Sequence, residues 1–214
     1  SSDVCSSDLN NEWASFRGNP HNTGTYREVC DNVLDLFIKD KANDIGTEPN
    51  TTTEYFWESD DIWVRNNNDD SLEHQNPEFT GNGGANYIKV RVRNKSCIAS
   101  SGNEHLTVNW AKAGTNFTWF IPWNGGIIYP GSGASMGDIV GTLNIPPLQP
   151  GEETIVTFPW QAPNPNLYGN NGDQWHFCLL AKIEASTDPT NIANQEDIVS
   201  IVSNNNNEIG RAHV

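Results

Sequence analysis

One stretch of the chain has the residue spacing of a hydrolase nucleophile. Residues 133–137 read G-x-S-x-G, with Ser135 at the centre. In α/β-hydrolases this pattern lies between a strand and a helix, where a sharp turn lifts the serine hydroxyl toward the substrate. Here Pro146 and Pro147 follow closely, so no long helix can form after the pattern. The histidines show no zinc-binding spacing either. We therefore predict no catalytic residue and no enzyme activity.

Two acidic loops carry oxygen ligands of the kind that calcium prefers. The first contains Asp40, Asp44 and Glu48, and the second contains Asp69 and Asp70. Calcium takes about six to eight oxygen ligands and tolerates irregular loops. Solvated turns explain the same composition, so both interpretations stand. Calcium is the single candidate cofactor, and no other cofactor is expected.

Aromatic residues are a third candidate for binding, because the chain contains 8 tryptophans. Trp119, Phe120 and Trp123 lie close together in a predicted loop. Exposed rings in this arrangement could stack on a sugar or anchor a protein partner. Packing of the rings beneath the long loop is the alternative, and we favour it. Three other tryptophans lie in predicted strands and are expected in the core: Trp110, Trp160 and Trp175.

The elements that must position these residues are strands. Residues 87–93 alternate between outward basic and inward apolar side chains, as a half-buried strand requires. Glycine- and proline-rich turns separate the apolar runs. The pattern predicts an all-β protein, an immunoglobulin-like Greek-key β-sandwich of about seven strands. The predicted strands are residues 35–40, 61–66, 85–94, 105–113, 141–148, 153–160 and 174–185.

Two motifs resemble those of the bacterial adhesion-related modules called CARDB, which occur in secreted Bacteroidota proteins. Val92 and Asn94 match a strand ending in V-x-N-x-G, with Ser96 in place of the glycine. Residues 148–152 match the family's L-x-P-G-E turn. The resemblance covers about residues 35–207. It implies a β-sandwich in an extracellular or cell-surface protein, although a fold does not by itself define a function.

The cysteines allow one internal bridge. Trp110 follows Cys97, and Cys178 lies in a later strand, an order similar to the Cys, Trp, Cys arrangement of immunoglobulin domains. This likeness implies a Cys97–Cys178 disulfide. Buried thiols are the alternative, because Cys97 falls just beyond the end of its strand.

The residues at both ends of the chain have the sequence expected of a translated DNA adapter. Residues 208–214 (EIGRAHV) can be encoded by a DNA string whose reverse complement encodes residues 3–9 (DVCSSDL). The string resembles a sequencing-library adapter, so we predict that residues 1–9 and 208–214 are adapter-derived. Residues 10–33 are then a linker or the tail of a preceding module, and residues 34–207 form the sandwich. Such a metagenomic fragment lacks its last strand and exposes an unpaired edge.

The charge balance excludes some classes of binding partner. The net charge of −15 repels phosphate backbones and anionic lipid, and no apolar run is long enough to span a bilayer. We expect no nucleic acid and no membrane insertion. The sequence favours a non-catalytic extracellular module that acts in cell adhesion, in docking or as a spacer, with other domains of the same chain, a glycan or a surface protein as partner. A carbohydrate-binding module, or an accessory domain of a secreted protease or glycosidase whose catalytic part is missing, is the alternative.

Overall fold

Two antiparallel sheets pack face to face in the computed structural model of the chain, which describes residues 33–46, 59–81, 85–113, 118–169, 174–187, 192, 198–204 and 209–213. The first sheet contains β1 (Leu36–Phe37), β2 (Ile62–Arg65), β3 (Asn86–Asn94) and β6 (Glu153–Trp160). The second contains β4 (His105–Lys112), β5 (Gly137–Asn144), β7 (Phe177–Glu184) and β8 (Ile209–His213). The predicted all-β sandwich is confirmed.

The strand β3 organises the first sheet. One edge of β3 pairs with β6 along its whole length, and the other pairs first with β2 and then with β1. In the second sheet the order is β5-β4-β7-β8. Pairing of β3 with β6 and of β4 with β7 is the Greek-key arrangement of an immunoglobulin-like fold.

The inner faces of the two sheets form the main core. Alternate residues of β3 point inward, as the period-two pattern predicts, and residues of β4, β6 and β7 meet them from the other strands. A representative set of buried core side chains is Ile88, Val90, Val92, Leu106, Val108, Phe158, Leu179 and Ile183.

The strand bounds differ from the prediction most at β5. We predicted a strand over residues 141–148, whereas β5 begins at Gly137 and ends at Asn144. Proline lacks the N–H that a sheet ladder needs, so Pro146 and Pro147 end the strand early. A short helix, α1 (Ile198–Asn204), was not predicted.

The predicted unpaired edge is also wrong. Residues 209–213, which we assigned to an adapter, form β8 and pair with β7 from Lys182 to Cys178. Strand pairing uses main-chain hydrogen bonds, so a segment of any origin can pair with the edge of β7. The pairing therefore leaves the adapter origin of residues 1–9 and 208–214 a prediction.

A buried carboxylate joins four strands of the first sheet. Asp61 lies immediately before β2, and its side chain accepts hydrogen bonds from Arg93 on β3 and from the main-chain N–H of Lys39 after β1. Arg93 also forms an ion pair with Glu153 on β6. Because the side chain of Asp61 is almost fully buried, its charge depends on these donors.

Asn94 connects the two motifs that resemble CARDB. Its main-chain groups pair with Gly151 and Glu152 of the L-x-P-G-E turn. Its side-chain amide donates to the carbonyls of Ile98 and Leu148. A buried asparagine at the end of β3 thus fixes the β3–β4 connection against the turn before β6.

Replacement of Asp61 by alanine is expected to lower the free energy of unfolding by about 3 kcal/mol, because it leaves the Arg93 charge without its buried partner. Urea denaturation monitored by fluorescence measures this change. Asp60→Ala is the matched control, since Asp60 is exposed beside it. An equal loss of stability in both variants would contradict the role of Asp61.

Candidate functional site

The outer face of the second sheet carries a second apolar cluster. Alternate residues of β7 and β4 point away from the sandwich core, among them Cys178, Leu180 and Ala111. Two segments cover them. One is α1, where Ile198, Ile201 and Val202 lie on one face at helical spacing, and the other is the long β4–β5 loop. The covering residues are Trp119, Trp123, Ile198, Ile201 and Val202.

Polar contacts anchor the described part of the β4–β5 loop to the sheet. The side chain of Asn109 on β4 donates to the Trp123 carbonyl at 2.9 Å. Gly137, where the loop re-enters the sheet, allows a very close approach of the main chain, since a Cβ there would lie 2.6 Å from the Pro122 carbonyl oxygen. The Lys182 ammonium lies 5.5 Å from the centre of the Trp119 ring. These contacts hold both tryptophans against the sheet.

Several apolar side chains of the same loop point to solvent. Phe120 is 47% exposed and Ile128 is 65% exposed. Ile121 and Ile127 are also exposed. We call these four loop residues the apolar tip. Sequence reasoning proposed only Phe120 of this set, although isoleucines in a glycine-rich loop are a signal that could have indicated the others.

The structure shows the interpretation that we favoured for Trp119 and Trp123, packing beneath the loop. Trp123 is fully buried and Trp119 nearly so, because both rings cover the outer face of the second sheet. The two rings therefore form no exposed platform for a sugar. The expectation for Trp175 is wrong. This residue lies just before β7, not within it, and is 60% exposed.

Ser135 lies outside any nucleophile elbow. A strand, β5, follows it where the hydrolase pattern needs a helix. Its hydroxyl donates to the Gly137 carbonyl and accepts from the Gly137 N–H within a local turn. The hydroxyl therefore stabilises the re-entry of the loop into the sheet.

The two predicted acidic loops have different environments in the structure. Asp40 and Asp44 lie together and are buried, whereas Glu48 lies outside the described residues. In the other loop the Arg65 guanidinium forms a bidentate ion pair with Asp69, while Asp70 is exposed. No cluster of three or more His, Cys, Asp or Glu side chains occurs among the described residues.

The predicted Cys97–Cys178 disulfide is wrong. Cys97 is disulfide-bonded, but Cys178 keeps a reduced thiol, buried on the outer face of β7. In an immunoglobulin domain the bridge crosses between the inner faces of the sheets, and Cys178 points the other way.

Comparisons with known proteins give only distant similarities. No family model matches the chain, and no curated protein matches it. A CARDB domain from Pyrococcus furiosus, solved in complex with di-metal ions, is 11% identical, with 89% of this chain and 97% of that chain covered at a TM-score of 0.35. A β-glucosidase from Bifidobacterium adolescentis is 12% identical over 62% of this chain and 15% of its own, at a TM-score of 0.27.

These similarities establish neither a family nor a function, and the assignment of a β-sandwich depends on the sheets described above. None of the helices in the described ranges is long and apolar enough to cross a membrane.

Trp123→Ala is expected to lower the free energy of unfolding by about 3–5 kcal/mol, because the ring fills the interior of the outer cluster. Trp175→Ala removes the same side chain from an exposed position and is expected to change it by less than about 0.5 kcal/mol. Chemical denaturation of both variants measures the difference. Similar effects at the two positions would contradict the assigned burial.

Proposed function

We propose that the chain is a non-catalytic β-sandwich module of a larger extracellular or cell-surface bacterial protein, and that it docks against a neighbouring protein domain through the apolar tip. The observation that supports this proposal is the arrangement of the β4–β5 loop. Its tryptophans fix the loop to the sheet, and its phenylalanine and isoleucines remain in solvent. Exposed apolar groups of this kind are typical of interaction sites.

The anchoring of the loop favours binding. Burial of a large apolar side chain contributes about 1.5–3 kcal/mol, and a rigid loop loses little conformational freedom on association. Phe120 supplies an aromatic side chain, a residue type enriched in protein interfaces. The strongly negative net charge disfavours nucleic acid and anionic lipid as the partner.

The identity of the neighbouring domain distinguishes adhesion, docking and a spacer role. A catalytic neighbour would make the module an accessory domain of a secreted protease or glycosidase. A series of similar sandwiches would make it part of an adhesin. Glycan binding lacks its aromatic platform, because Trp119 and Trp123 are buried.

The test uses the domain that the flanking DNA encodes next to this module, purified separately and titrated by calorimetry against this chain. The double variant Phe120→Ser/Ile128→Ser is expected to bind at least about tenfold more weakly, since it removes apolar burial at the tip. Leu72→Ser is the matched control, because Leu72 is equally exposed but lies in the loop after β2.

Absence of any encoded neighbour, or binding that the tip variant leaves unchanged, would contradict the proposal. Equal weakening by Leu72→Ser would contradict the assignment to the tip.

A further inference from the structure

The segments that follow β1 and β2 have the same pattern in sequence and in space. Residues 35–46 (DLFIKDKANDIG) align with residues 61–72 (DIWVRNNNDDSL), both beginning with an aspartate and an apolar strand. Both strands pair antiparallel with the same edge of β3. The loops after them therefore begin at corresponding positions of two aligned strands.

The guanidinium of Arg65 closes the second loop. Arg65 binds Asp69 through two hydrogen bonds of 2.9 Å and donates to the Glu73 carbonyl. In the first loop the aligned residues are Lys39 and Asn43, so this ion pair has no counterpart. The Lys39 ammonium donates instead to the Ala42 carbonyl.

The first loop contains two buried carboxylates. Asp44 accepts the main-chain N–H of Asp40 at 3.1 Å and that of Gly46 at 2.8 Å, so it folds the loop around itself. Asp40 is only 2% exposed, and its Oδ1 has no hydrogen-bond partner. A buried carboxylate oxygen without a donor is costly, and such an atom calls for a ligand.

Among the described residues, Asp40 forms no ion pair with a basic side chain. Burial and, secondly, the negative charge of Asp44 raise the pKa of Asp40 to about 9, while Lys41 acts in the opposite direction. The lysine that contacts this loop from the end of β3, Lys95, is paired with Asp35 and with the Gly46 carbonyl. Asp61, the acid that faces the loop from β2, is held by Arg93.

We propose that the loop of residues 40–46 binds one Ca²⁺ ion through the carboxylates of Asp40 and Asp44. Main-chain carbonyls and water complete the oxygen shell, as calcium sites in irregular loops allow. In the second loop the residue aligned with Asp40 is Asn66, whose Oδ1 is likewise buried without a partner. A neutral amide attracts a divalent cation less strongly than a carboxylate does, so the site is assigned to the first loop alone.

Calorimetric titration of the full chain with CaCl₂ is the direct test. The expected result is one site whose affinity falls at least about tenfold in Asp40→Asn, which keeps the shape of the side chain and removes its charge. Asp70→Asn is the matched control, because it makes the same charge change at an exposed position of the second loop. It is expected to bind Ca²⁺ like the original chain.

No Ca²⁺ binding, equal binding by Asp40→Asn, or an equal loss of affinity in Asp70→Asn would each overturn the proposal.

Discussion

The constraint on which the structure most depends is that β7 is apolar on both faces. Phe177 and Leu179 point into the sandwich, and Cys178 and Leu180 point out of it, so the second sheet needs a cover on each side. The first sheet covers one side. On the other, the protein uses α1 and the β4–β5 loop, and this requirement explains why a long loop is packed against a sheet face that most sandwiches leave in water. It also explains why Trp119 and Trp123 are part of the fold and are not a sugar-binding surface.

The same constraint produces the apolar tip. The loop that turns two tryptophans toward the sheet presents Phe120 and several isoleucines to solvent. The described loop therefore combines a side that packs on the sheet and an exposed apolar side. The acidic loops show a similar division. The one after β2 is closed by the protein's own arginine, and the one after β1 retains a buried carboxylate oxygen that the described part of the protein does not satisfy.

Much of the fold could be predicted because strand periodicity is local. The alternation in β3 and the turn of residues 148–152 were enough to indicate the sandwich. The second cover was harder to predict, although the unbroken apolar run of β7 was a signal for a strand buried on both faces. Which loop supplies the cover depends on distant contacts, such as the bond from Asn109 to the Trp123 carbonyl, that no window of sequence contains. The orientation of Cys178 was missed for the same reason, since a reversal of face depends on strand register. The buried, unpartnered oxygen of Asp40 was also missed. It becomes evident only when this loop is compared with the second loop, which the Arg65–Asp69 ion pair closes.

The central claim is that the β4–β5 loop packs its tryptophans inward and holds its apolar tip in solvent. Paramagnetic relaxation of side-chain NMR signals by a soluble gadolinium chelate tests it most directly, with the exposed Trp175 as an internal reference. The account predicts strong relaxation of the Trp175 indole and of the Ile128 methyl groups, and weak relaxation of the Trp123 indole. Relaxation of Trp123 as strong as that of Trp175, or protection of Ile128, would contradict it.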